Sequence, residues 1–171
     1  MTRPATSHPT THLALVASLL GCAGAQSGAG AQEVARCEPA QRLLTEQLGM
    51  VTETEPETVD DWRTGRLVPG CRVTAAGSTS FAMRDQAEGV FYGIIAAGWE
   101  RTTDPRDAPN ESSLRFRMGD TDCLFSFYSG IVIGTESERR TIHALVIPPG
   151  ESRYNVLVQC IPAMEARPRS P

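Results

Sequence analysis

The stretch Leu114-Arg115-Phe116-Arg117-Met118-Gly119-Asp120-Thr121-Asp122-Cys123-Leu124-Phe125-Ser126-Phe127-Tyr128 decides the fold. Leu114, Phe116 and Met118 alternate with Arg115 and Arg117, a period of two that marks a half-buried strand with its arginines outward. Residues 119–122 turn the chain, and Cys123, Phe125 and Phe127 then share one face of a second strand. Downstream, residues 131–133 read as a further short strand and the charged residues 134–141 as a loop. Residues 142–147 and 154–161 read as a hairpin around Pro148-Pro149-Gly150-Glu151-Ser152.

Upstream of the stretch the period changes to that of a helix. Ala87, Val90, Phe91, Ile94 and Ile95 recur at helical spacing from about Met83 to Ala97, and Gly98 supplies the stop. Gly89, Gly93 and Ala97 fall on one stripe, and two interior glycines weaken a helix by about 1 kcal/mol each, so close packing of this stripe on the sheet is expected. Pro39 opens an earlier helix that runs to about Leu48, with Leu43, Leu44 and Leu48 on its apolar side. Residues 50–69 read as a long ordered loop held by Trp62, residues 71–75 as a short strand, and residues 102–110 as an exposed loop. The order of elements predicts an α+β fold, with two helices packed on one face of a mainly antiparallel sheet of four to five strands. Residues 37–162 suit a single α+β domain with one core, followed by a disordered tail over 163–171.

Four cysteines lie within that domain, at spacings of 34, 52 and 37 residues, with no C-x-x-C pair and no neighbouring histidine. Metal ligands cluster at short spacing, so disulfides are expected instead and no metal is assigned. Three pairings are open. Cys123 and Cys160 alternate in phase with the apolar residues Phe125, Phe127, Val156 and Val158, which favours Cys123–Cys160 and leaves Cys37–Cys71.

The beginning of the chain carries a different signal. Residues 1–12 are polar with one fixed positive charge at Arg3, residues 13–20 are an apolar core, and Gly21 precedes Cys22. Charged, apolar and small-residue regions in this order make a secretory signal peptide over residues 1–21. Eight apolar residues span only about 12 Å as a helix, against roughly 30 Å of hydrocarbon, so this segment is too short to remain a membrane span. Leu19-Leu20-Gly21-Cys22 resembles the lipobox of bacterial prolipoproteins. The resemblance implies cleavage before Cys22, a diacylglyceryl thioether on its thiol and an acylated, palmitate-type amine. It also implies a localisation in the bacterial cell envelope, anchored by lipid to a membrane outside the cytoplasm. Acylation of Cys22 resolves the odd count of five cysteines. Ala23-Gly24-Ala25 and Ala29-Gly30-Ala31 fit the small-x-small pattern of ordinary secretion, which keeps a plain secreted protein as the alternative. Residues 22–36, rich in Ala, Gly, Ser and Gln at their start, read as a lipid-anchored flexible tether.

Composition excludes more than it suggests. Without Arg3 the chain has 15 arginines against 20 acidic residues, a net charge near −5, which offers no electrostatic case for nucleic acid. Lysine is absent, which removes Schiff-base and phosphate-loop lysine chemistry. His143 is the one histidine after the signal, placed in an expected strand, and no G-x-S-x-G frames Ser126 or Ser129. The acid pairs Asp60/Asp61, Asp104/Asp107 and Asp120/Asp122 read as solvated turn formers. Arg115 and Arg117, joined by Arg139, Arg140 or Arg153, would make a cationic sheet face balanced by Glu136, Glu138 and Glu151.

The expectation is therefore a lipid-anchored envelope lipoprotein whose domain binds or scaffolds, leaning away from an enzyme, with no catalytic residue and no cofactor assigned. Its partners would be the membrane, through the anchor, and an envelope protein or ligand. A small enzyme using His143 with a loop carboxylate, or a secreted interaction or inhibitory module, is the alternative.

Overall fold

A computed structural model of the chain describes residues 26–102, 104 and 112–164. Cys22 and the lipobox, Asp107 and the end of the tail lie outside these residues.

Six antiparallel strands form one sheet: β1 (Val51–Asp61), β2 (Arg66–Thr79), β3 (Glu100–Arg101), β4 (Ser113–Met118), β5 (Thr121–Tyr128) and β6 (Ser152–Pro162), in the order β1-β2-β6-β5-β4-β3. Four to five strands were expected. The difference arises at residues 50–69, where the expected loop is the long β1–β2 hairpin, paired from Val51↔Ala76 to Asp61↔Arg66. The run Thr52 to Thr58 alternates Thr and Pro with Glu, so neither side of it is apolar and no hydrophobic period announces a strand. Its β-branched threonines nevertheless suit the ladder, and Trp62 lies just past the strand end with 40% of its surface exposed. The β4–β5 hairpin forms as expected around a two-residue turn, where Gly119 takes the positive φ of 58° that the turn requires.

The inner face of the sheet is covered by helices. α2 (Glu38–Arg42) starts at a proline in its first turn and continues as one π-helical stretch, Leu43–Gln47, which buries Leu43 and Leu44. α3 (Met83–Ala96) buries Ala87, Val90, Phe91 and Ile94. These side chains meet Val73, Ala75, Phe116, Phe125, Phe127, Val156 and Val158 in the core. Phe116, Phe125 and Trp99 stack edge to face, with centroids 5.6 to 5.8 Å apart. Gly77 faces the Tyr154 ring, into which a Cβ would collide at 2.8 Å.

Three further expectations are corrected. α1 (Gln26–Arg36) is helical where a flexible tether was expected: it lies against β1 and β2, and Glu33 pairs with Arg36 at 3.4 Å. Residues 131–133 are not a strand, and residues 134–147 are neither a loop nor half of a hairpin. They contain α4 (Glu136–Ala144), whose capping box Thr135-x-x-Glu138 starts it, the Thr135 Oγ1 accepting from the Glu138 N–H at 3.2 Å. α4 packs against β1 and β2 and bonds to Glu53 and Glu55, whose register partners Thr74 and Arg72 alternate with the core residues Val73 and Ala75, so it lies on the face opposite α2 and α3. The glycine stripe of α3 does not pack on the sheet, for a Cβ at Gly89 or Gly93 would meet nothing within 4 Å.

Candidate functional site

The strand register places three cysteines in one row across the sheet. Cys71 of β2 opposes Cys160 of β6, and Cys160 in turn opposes Cys123 of β5. Cys37, just ahead of α2, reaches the same point from above. The bonds are Cys37–Cys71, with Cα atoms 6.0 Å apart, and Cys123–Cys160, with Cα atoms 4.1 Å apart. All four cysteines are fully buried. The Sγ atoms of Cys37, Cys71 and Cys160 lie within 4.8 Å of one another, so the two cystines form one sulfur cluster. Metal ligation requires thiolates, which cystine sulfurs are not.

The outer face was expected to be a solvated cationic surface and is largely buried. Arg115 is 2% exposed, with its guanidinium 5.1 Å from the Trp62 ring and 3.9 Å from the Asp61 carboxylate. Arg117 is held by the fully buried Asp122, through Nε at 2.6 Å and Nη2 at 3.0 Å. Arg63, from the β1–β2 turn, donates to Asp61 at 2.8 Å and to Asp122 at 3.2 Å. Asp61 and Asp122 are thus the acceptors of a buried ion network rather than solvated turn formers, while Asp120 accepts the Ala163 N–H through its main chain at 2.7 Å. Burial alone would raise the Asp122 carboxyl, but hydrogen bonds from Arg117, the Met164 N–H and Arg63 outweigh it and hold the group below the ordinary carboxylate range.

Beneath α4 lies a second polar cluster. Glu138, 1% exposed, accepts from three successive backbone N–H groups, Val132 at 2.9 Å, Ile133 at 3.1 Å and Gly134 at 2.6 Å. Such a nest favours the carboxylate, so despite burial the Glu138 carboxyl is lowered, while burial and the bond to Glu138 push the Tyr128 hydroxyl up. Arg72 bridges Glu55 and Glu57, the latter at 2.7 Å, and Ser137 of α4 donates to Glu55 at 3.1 Å. Burial raises the Glu57 carboxyl, with a hydrogen bond from Gln159 partly opposing it. These groups are joined to one another and dock α4 on the sheet.

His143 stands on the last turn of α4, not in a strand, and is exposed. It shares a surface depression of about 690 Å³ with Glu53, Glu136, Arg139, Arg140 and Ala144. The carboxylates there are engaged by arginine: Glu53 takes Arg140 at 2.6 Å, and Glu136 takes Arg139 at 3.3 Å. Arg139 and Arg140 thus stand on the helix, apart from Arg115 and Arg117 on β4. Glu151 accepts from Ser78 at 2.5 Å.

Two signals in the sequence could have found the buried groups. In a two-residue hairpin Arg117 and Asp122 are cross-strand partners, and Thr135-x-x-Glu138 is a helix start. No protein-family model, curated protein or solved structure significantly matches the chain.

Proposed function

We propose that the chain is a bacterial lipoprotein, anchored in the cell envelope through Cys22, and that its domain is a non-enzymatic binding or scaffolding module. The observation that carries this reading is the cysteine count. Of five cysteines, Cys37, Cys71, Cys123 and Cys160 are bonded to each other, and the fifth is the cysteine of the lipobox-like Leu19-Leu20-Gly21-Cys22. Two cystines suit an oxidising compartment, which export would supply. A binding role draws support from the apolar side chains exposed on the loops either side of α4: Ile131, Val132, Val146 and Ile147, the third with 86% of its surface accessible. The buried charged groups Asp61, Arg63, Arg115 and Asp122, by contrast, are engaged with one another.

The anchor is tested by mass spectrometry of membrane-extracted protein. The expected N-terminus is a triacylated Cys22, and Cys22→Ser should move the protein from the membrane to the soluble fraction. An unmodified N-terminus at Gln26 or Gln32 would overturn the lipoprotein reading. Photocrosslinking from positions 132 and 146 in intact envelopes tests the binding role, and a discrete adduct seen from both positions but not from 92 is expected.

A further inference from the structure

We propose that the cysteine row is an internal thiol–disulfide relay, in which the Cys71 sulfur can displace Cys123 from Cys160. Three observations carry it. β2, β6 and β5 are adjacent, and the register puts Cys71 and Cys123 on opposite sides of Cys160 in one row. All three side chains lie on the inner face, in phase with Val73, Val158 and Phe125. The Cys71 and Cys160 Sγ atoms belong to a group lying within 4.8 Å of one another, about one strand spacing. Thiol–disulfide exchange proceeds by attack of a thiolate on a disulfide sulfur as the other sulfur leaves, which favours a nucleophile placed opposite the leaving group. Strand order supplies that placement.

The relay needs one external reactant, a small thiolate. It attacks Cys37, forms a mixed disulfide there and expels Cys71 as a thiolate. Cys71 then attacks Cys160, forming Cys71–Cys160 and releasing Cys123 as the thiolate. One disulfide is lost to the mixed disulfide, one moves, and the electron pair ends on Cys123. The first step requires local opening of the segment that carries Cys37, since all four cysteines are buried. The second takes place between side chains that already lie within 4.8 Å of each other. The consequence is a change of what is stapled: Cys37–Cys71 ties the α1–α2 segment to the sheet, whereas Cys71–Cys160 joins two strands already paired. Thiol entering at one cystine thus unfastens the α1–α2 segment while the sheet keeps a covalent bond.

The test treats the full-length protein with one equivalent of reduced glutathione, quenches with acid, alkylates and maps the peptides. The expected product carries glutathione on Cys37, a Cys71–Cys160 bond and alkylated Cys123. Alkylated Cys71 beside an intact Cys123–Cys160 as the sole partly reduced form would overturn the relay. In Cys37→Ser the one remaining thiol of the domain should be found on Cys123 as well as on Cys71. Alkylation of Cys71 alone would overturn it. Cys71→Ser should keep Cys123–Cys160 and, within the domain, be alkylated only at Cys37. Formation of Cys37–Cys160 in that variant would show that proximity rather than the row governs exchange. The glutathione titration of unaltered protein decides the matter even where a variant fails to fold.

Discussion

The two faces of the sheet are both buried, yet they are built from different chemistry. The inner face holds Val73, Phe116, Phe125, Val156 and Val158 with two cystines, a surface whose cohesion follows from area and shape. The outer face holds Asp61, Arg63, Arg115 and Asp122 in one network and Glu138 with its three N–H donors in another. An apolar face tolerates exchange between residues of similar volume, whereas a buried charge network depends on every member being present. Conservative substitutions should therefore separate the faces. Asp122→Asn keeps the shape but removes the charge that holds Arg117 and Arg63, and should lose about 3–5 kcal/mol. Phe125→Leu removes part of an aromatic cluster and should lose about 1.5 kcal/mol, provided its neighbours close in. Denaturation midpoints in urea measure both, and equal losses would break the distinction.

Much of the inner face was legible because alternation and helical spacing report burial directly. Leu114 to Phe127, the α3 residues Ala87, Val90, Phe91 and Ile94 and the phase of Cys123 with Cys160 all carry that signal, whereas Ile95, at the same spacing, is exposed. The outer face was not legible, because a period of two says only that Arg115 points away from Phe116. Whether that side meets water or Trp62 and Asp61 depends on a hairpin some 50 residues earlier in the chain. The same blindness hid β1, whose Thr and Glu pattern is polar on both sides, and α4, whose charged sequence resembles a loop until its capping box is noticed. His143 illustrates the cost: the expected strand over 142–147 ends in Val146 and Ile147, which in the folded chain are exposed just past the helix.

Acid should separate the faces a second time. The carboxyls of Asp122 and Glu138 are lowered in the folded chain, so each contributes stability that is present above the unfolded carboxylate range and lost as pH falls through the folded value. Glu57, raised by burial, works in the opposite sense: its contribution is present below the unfolded value and fades as pH rises through the folded one, which blunts the acid slope without reversing it. The urea midpoint should fall with pH below about 4, the range in which ordinary carboxyls titrate. Glu138→Gln should flatten that fall, whereas Phe125→Leu should lower the whole profile in parallel. A parallel shift from Glu138→Gln would place the acid sensitivity elsewhere.

The smallest expected effect concerns the helix that roofs the inner face. Gly89 and Gly93 suggested close packing because a glycine inside a helix is costly unless something approaches it. The side of α3 that carries them instead faces outward, with Tyr92 72% exposed and Ile95 49% exposed beside open space at both glycines. Without a close neighbour, the glycines retain their conformational cost. Gly93→Ala should therefore raise stability by about 0.5–1 kcal/mol, and Gly89→Ala by a similar amount, the two adding because the new methyl groups touch nothing in common. Loss of stability in either variant would mean that another surface lies against this stripe in the protein as it is held in solution. The distinction between a packed inner layer and an open outer side of α3 would then fail at that helix.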